Sequence, residues 1–420
     1  LRGVFKMKRV FHENNRKKLM EKVEDNSAVV VFSGRAPYKS GDELFSFTPS
    51  MNFYYLTGIE REKFVLLMTK INGEIDEQLF IEKSNPLLAR WIGERMKPEE
   101  AQQSSGIEKI DYIENFQSAF GTMVNKNEME KVYLDLERQE WEMSASEDTT
   151  FAYELSRRYP YLEIKDLHRK ISELRVIKSK EEIEKLREAI SITREAIYNV
   201  WKNAKPEMME YELEAYFNFT LKNHGITDFA FKTIMASGKN AAVLHYSKNN
   251  SKTSANDLVL MDLGAQFEHY NADISRTFPI SGRFSQRQRK IYEVVLSAQK
   301  AVQSTAKPGV PFKRLNEVAC EVLANGCRTL GLIKNDSELS EYYFHGVSHF
   351  IGLDTHDVGN RNTELKAGMV ISNEPGLYIP AENIGIRIED DLLITEDGCE
   401  NLAKDIIKEP DQIEAFMKRS

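Results

Sequence analysis

HGVSHFIGLDTHD, residues 345 to 357, places three of the chain's eight histidines, His345, His349 and His356, within twelve residues. The side chains between them are small, apolar or acidic. Imidazole is the commonest neutral metal ligand and the side chain best suited to moving protons near neutral pH, so this cluster calls for carboxylate partners elsewhere in the chain. Taken alone, three histidines on a glycine-bearing loop also fit hydrogen-bonded structural groups.

Carboxylates stand on both sides of the cluster. Upstream, DLVLMDLGAQFEHYNADISRTF (257–278) reads as a buried strand carrying Asp262, a polar connection, and a second extended stretch beginning near Asp273. An antiparallel return would turn both aspartates toward one point. Downstream, MVISNEPGLYI carries Glu374 at the end of an apolar run and NIGIRIEDDLLI carries Glu389 in another. Period-two alternation puts Arg387 and Glu389 on one face of that strand and Ile386 and Ile388 on the other. Four carboxylates buried together are costly unless cations neutralise them, and two divalent ions about 3.5 to 4 Å apart are the usual solution. An oxygen-rich set with one imidazole suits Mn²⁺, with Co²⁺, Fe²⁺ and Zn²⁺ as alternatives.

The order Asp262, Asp273, His349, Glu374, Glu389 resembles the dinuclear signature of the pita-bread metallopeptidases. HGVSHFIGLDTHDVG, SNEPGLYI and GIRIEDD are similar to the Xaa-Pro aminopeptidase and prolidase branch, and SGDELFSFTPSMNFYYLTG (40–58) is similar to the amino-terminal domain of those enzymes. The resemblance implies an α/β (α+β) chain with a small N-terminal α/β domain over 1–173 and a pseudo-twofold pita-bread catalytic domain over 174–420. It implies two divalent ions per subunit held by Asp262, Asp273, His349, Glu374 and Glu389, with a bridging hydroxide as nucleophile. Glu374 would also take the proton of that water. His245, in VLHYS, and His356 would stabilise the tetrahedral intermediate and the leaving proline nitrogen. His345 would line the proline pocket, and Arg387 would orient a ligand or pair with Tyr378; its plainer role is an ion pair with Glu389. Trp91, in RWIGERM, is similar to a Trp-x-Gly segment that reaches a neighbouring subunit's active site; the plain alternative is packing on its own domain. The expected substrate is a peptide with proline in second position. A prolidase restricted to dipeptides, and a metal-free binding protein on the same fold, are the alternatives.

Composition sets the remaining bounds. A chain of 420 residues exceeds one ordinary core. Net charge of -8 argues against a nucleic-acid partner. Cys320, Cys327 and Cys399 give no disulfide framework and fit the cytoplasm. No apolar run approaches the ~20 residues of a membrane span, and the basic start LRGVFKMKRVF lacks a signal-peptide core, with Met7 read as the native start. A homodimer or homotetramer is expected from the family.

SAVVVFSG, NFYYLTG, KFVLLMT and EQLFIEK are the apolar runs of the first domain. From residue 179, helices are expected after the Ser179/Glu182 capping box, over 209–224, after the Ser285/Gln288 capping box and over about 312–330. Two helices and aspartate strands, then two helices and glutamate strands, make the halves mirror each other. His12, His168 and His224 read as solvated, and His269 as structural. Asp354 and Asp357 fit either imidazole partners or turn formers.

Overall fold

A computed structural model describes residues 7–126 and 129–418, so the expected start at Met7 with residues 1–6 upstream of it lies at the edge of the described residues. The chain divides into two compact units, Leu1–Leu174 and Arg175–Ser420.

In the first unit Ser27–Phe32 is the axis of a six-stranded mixed sheet, pairing antiparallel with Val65–Ile71 and parallel with Lys131–Leu134. Its continuous apolar run is what a strand covered on both faces requires. One apolar run folds differently. NFYYLTG lies in a helix, Met51–Thr57, because Ser50 caps its first turn by accepting from the Phe53 amide and Gly58 ends it at a φ of 68°. Every residue from Asn52 to Thr57 is buried, so no periodicity betrays the helix in the sequence. A side chain at Gly58 would run into the His12 ring. His12 is therefore not solvated: it is 1 % exposed and bonds the Tyr55 carbonyl through Nδ1.

The second unit repeats one order of elements. Helices Lys180–Asn203 and Glu210–Asn223 precede a three-stranded antiparallel sheet of Ile234–Ser237, Leu258–Leu263 and Ile274–Pro279. Helices Gln286–Thr305 and Phe312–Thr329 precede Val370–Asn373, Asp390–Ile394 and Cys399–Asn401, with a hairpin of Gly376–Ile379 and Ile384–Arg387 inserted. Both expected capping boxes are present, Ser179 with Glu182 and Ser285 with Gln288. This is the pseudo-twofold arrangement that the sequence implies.

The halves are stitched together where the acidic residues sit. The Glu389 amide donates to the Ser275 carbonyl at 3.0 Å, the Asp273 amide donates to Asp391 at 3.2 Å, and the Arg387 amide donates to Thr277 Oγ1. Behind them Arg276, fully buried, donates to the Glu389, Ile406 and Ile407 carbonyls and to Asp390. Asp390 also accepts from Lys408, Gln299 and Asn401, and its two cations hold its carboxyl well below the usual range despite burial. Removing one partner of such a pair strands the other charges in the core. Asp390→Ala is expected to lower unfolding stability by about 3–5 kcal/mol in denaturant titration, and a loss under about 1 kcal/mol would mean that water reaches Arg276 and Lys408.

Candidate metal centre

Strand register brings the two aspartates together. Asp262 sits opposite Ser275 in the antiparallel pair, so Asp273, two residues before Ser275, shares its face. Glu389 joins them across the stitch between the halves. Glu374 follows Val370–Asn373 directly, and its amide donates to the Val347 carbonyl, fixing it beside the histidine segment. His349 donates its own amide to Ser372 Oγ.

Ligand atoms of Asp262, Asp273 and Glu389 lie within 4.8 Å of one another, as do those of His349, Glu374 and Glu389 and those of Asp273, His349 and His356. His349 Nε2 is 3.3 Å from Asp273 Oδ2 and 3.4 Å from Glu374 Oε1. Its Nδ1 faces the Phe350 carbonyl at 3.0 Å, which leaves Nε2 for the carboxylates. Asp262 Oδ1 and Glu389 Oε1 are buried without a hydrogen-bond donor. Orphaned carboxylate oxygens clustered with further carboxylates and one imidazole are the donor set of a hard divalent cation, and the residues fit such ions.

The electrostatics carry the same signature. Burial pushes Asp273 up to about 6, with the Asp262 charge adding to it while His349 opposes it. Burial raises Glu374 to about 7, helped by Asp273 and Asp262, and drives Glu389 well above the carboxylate range. Burial opposes the charge on His349, but Asp273 and Glu374 outweigh it and lift the imidazole to about 9.

Arg387 serves other partners than Glu389. It donates to Asp262 Oδ2 at 2.6 Å, to Tyr378 Oη at 3.0 Å and to Ser275 Oγ at 2.8 Å, so it orients one acidic residue and pairs with Tyr378. The plain ion pair with Glu389 is replaced by this fork. Ser275 Oγ in turn lies 2.8 Å from Glu389 Oε2. Tyr378 Oη meets His345 Nε2 at 2.9 Å, and His345 Nδ1 faces the Gly346 carbonyl. Burial lowers both His345 and His356 to about 4. The exposed His245 stands between Leu244 and Tyr246, which pack against the cluster that contains Tyr378. His356 stands edge-on to His349 with ring centres 4.3 Å apart.

Several contributors were not legible from motifs. Asp357 is neither an imidazole partner nor a plain turn former: it is buried between Arg175 Nη2 at 2.6 Å and Lys178 Nζ at 2.9 Å, while Asp354 shares Arg175. Asn271 ties the same loop down by donating to the Gly352 and Leu353 carbonyls. Ser275, two residues after Asp273 on one strand face, was findable by period two. His168 is half-buried against Asp135, and His224 bonds Glu195, so neither is merely solvated. Trp91 lies in the first unit on the helix Pro86–Ile92, 86 % exposed, which rules out packing on its own domain.

The family model described as metallopeptidase family M24 matches residues 184–396, and that of the aminopeptidase P N-terminal domain matches residues 12–133. The chain belongs to metallopeptidase family M24. The Xaa-Pro aminopeptidase of Escherichia coli (strain K12) is 32% identical over 431 residues, covering 96% of this chain and 97% of its own. Among solved structures, a candidate aminopeptidase P from Bacillus anthracis is 50% identical with a TM-score of 0.97, covering 98% of this chain and 99% of its own. Aminopeptidase P from E. coli with the inhibitor Pro-Leu is 30% identical with a TM-score of 0.91, over 99% of both chains. This M24 peptidase is a metal-dependent exopeptidase, and full-length likeness to Xaa-Pro aminopeptidases favours that activity over a dipeptidase. It binds divalent metal.

Two outcomes test the centre. Asp262→Asn, Asp273→Asn or Glu389→Gln is expected to lose metal and activity together by elemental analysis, whereas His356→Ala keeps its metal while activity falls ~10²-fold. Equal metal loss in His356→Ala would exchange the roles of His349 and His356. Metal-free protein should also lose stability as pH rises from 6.5 to 9. Glu374 and His349 have folded pKa values raised above their ordinary ones, so their contribution is present at low pH and disappears as pH passes about 7 and about 9. The lowered His345 and His356 act below 6.5. Melting temperatures across that range should fall without metal and flatten with it; equal slopes would contradict the reading.

Proposed function

We propose that this M24 peptidase removes the residue preceding proline from the amino terminus of peptides. The supporting observation is the convergence of Asp262, Asp273, His349, Glu374 and Glu389, with two orphaned oxygens, inside a chain similar over its whole length to Xaa-Pro aminopeptidases. An Xaa-Pro bond is a tertiary amide without an N–H, so a site that grips that hydrogen cannot use it. Two divalent ions, Mn²⁺ by the oxygen-rich donor set, would be held by those five side chains and would supply Lewis acidity toward water and the scissile carbonyl.

The chain's own residues do the rest. Glu374, whose Oε1 lies within 3.3 Å of Ser372 Oγ, takes the proton from the attacking water. His356 and His245 present their rings from the accessible side and stabilise the tetrahedral oxygen and the departing proline nitrogen. With Nδ1–H donating to Gly346, His345 accepts the Tyr378 hydroxyl proton at Nε2 and has no free donor left. Its remaining edge packs against the Tyr343 ring, suited to the apolar face of proline. Arg387 keeps Asp262 and Tyr378 in register.

Trp91, with Leu87, Leu88 and Ile92 also exposed on the same short helix, is assigned to a neighbouring copy's site in a homodimer or homotetramer. Three free cysteines suit the cytoplasm. Among the described residues no helix is long and apolar enough to cross a membrane.

A dipeptidase would close the far side of the proline pocket with a cation for the substrate carboxylate. Arg361, exposed, lies near enough that its charge helps lower His356. Its role here is that of a solvated loop charge. Cleavage of Xaa-Pro-Yaa peptides should therefore equal or exceed that of Xaa-Pro, and Arg361→Ala should change the longer substrates little. Cleavage confined to dipeptides, with Arg361→Ala selectively raising their KM, would make the protein a prolidase.

A further inference from the structure

His245, like the other site histidines, is carried by a segment without helix or strand. Between Val243 and Ser251 the chain makes neither helix nor strand, and His245 itself is exposed. Its neighbours Leu244 and Tyr246 pack against the small core of Ile234, Ala236, Leu260 and Tyr378, while His245, in a turn between them, faces outward. Packing by two half-buried side chains does not by itself fix such a segment.

Glu210, the first residue of the helix Glu210–Asn223, is 0 % exposed. Its Oε1 accepts from the Ser237 amide at 2.7 Å, Ser237 Oγ at 2.8 Å and Asn240 Nδ2 at 3.0 Å. Its Oε2 accepts from Tyr246 Oη at 2.8 Å and the Ser251 amide at 2.9 Å. All five donors are neutral, and together they span the segment from its entry at Ser237 to its exit at Ser251. A buried carboxylate compensated by oriented dipoles and a helix N-terminus is a rigid junction, because each displaced donor would leave charge unsolvated.

We propose that Glu210 is a positioning residue for the reaction, holding His245 at the metal centre through Tyr246 and Ser251. The proposal rests on the role given above to His245. The hydrogen bonds of Glu210 go to Ser237, Asn240, Tyr246 and Ser251 and to none of the five metal-ligand side chains, so its effect on the reaction is expected to pass through the segment. A glutamine at 210 keeps the volume but replaces one acceptor oxygen by an NH₂ group, leaving donors at one end of the carboxylate unsatisfied.

A double-mutant cycle decides it. Glu210→Gln, His245→Ala and the double variant are compared in kcat/KM on an Xaa-Pro-Yaa peptide, with metal content measured alongside. Glu210→Gln should keep full metal and lose about 10-fold or more in kcat/KM. In the His245→Ala background the same substitution should cost less than about 2-fold, because nothing is left to position. Should Glu210→Gln fail to fold, Tyr246→Phe removes one donor only and runs the same cycle with a smaller loss. Equal losses in both backgrounds, or metal lost with activity, would overturn the positioning role while leaving His245 in place. His245→Ala with unchanged kcat/KM would overturn the role of His245, and the positioning role with it.

Discussion

Four largely buried carboxylates from two halves of one unit meet around a single imidazole, and the rest of the site depends on how that charge is compensated. Desolvating one such ion costs several kcal/mol, and four within a few ångströms add mutual repulsion. Of the four carboxylates, Arg387 bonds Asp262, through a 2.6 Å contact, and gives its other donors to Tyr378 and Ser275. For Asp273, Glu374 and Glu389, with His349 between them, the remaining compensation is protons or divalent ions, and the upward shifts of all three carboxyls express that choice.

Because the cluster opposes its own assembly, the backbone beneath it is held by contacts that do not use the ligand atoms. The Glu389, Glu374 and Asp273 amides each have an acceptor in another segment, and Arg276 locks the Glu389 carbonyl from behind. Those bonds keep the donor set arranged before any ion arrives, which is what gives a hard cation its affinity without a folding cost. The histidines on the accessible side are held by separate devices: Asn271, Arg175 and Lys178 on the His356 loop, and Glu210 on the His245 segment.

The acidic residues and His349 were legible because each stands in an apolar run where a charge has no other excuse, and because period two fixes which strand residues share a face. Two of the four helices expected in the second unit announced themselves through the capping boxes at Ser179 and Ser285, whereas the helix Pro410–Met417 was not anticipated. Long-range pairing escaped as well. Nothing local in ELRVIKSK says that Arg175 and Lys178 meet Asp357 some 180 residues on, and Glu210 reads as an ordinary first-turn acid until its five donors are seen. NFYYLTG escaped for another reason: burial on every side erases the periodicity that separates helix from strand. His12 followed it, since its burial depends on the glycine that ends that helix.

The central claim is that divalent cations, two to a chain, balance this cluster. Stripping the protein with chelator and titrating Mn²⁺ back while following both bound metal by elemental analysis and cleavage of an Xaa-Pro-Yaa peptide tests it most directly. Activity should be absent in the stripped protein and reach its plateau as bound metal reaches two ions per chain. Full activity in protein carrying no stoichiometric metal would contradict the account.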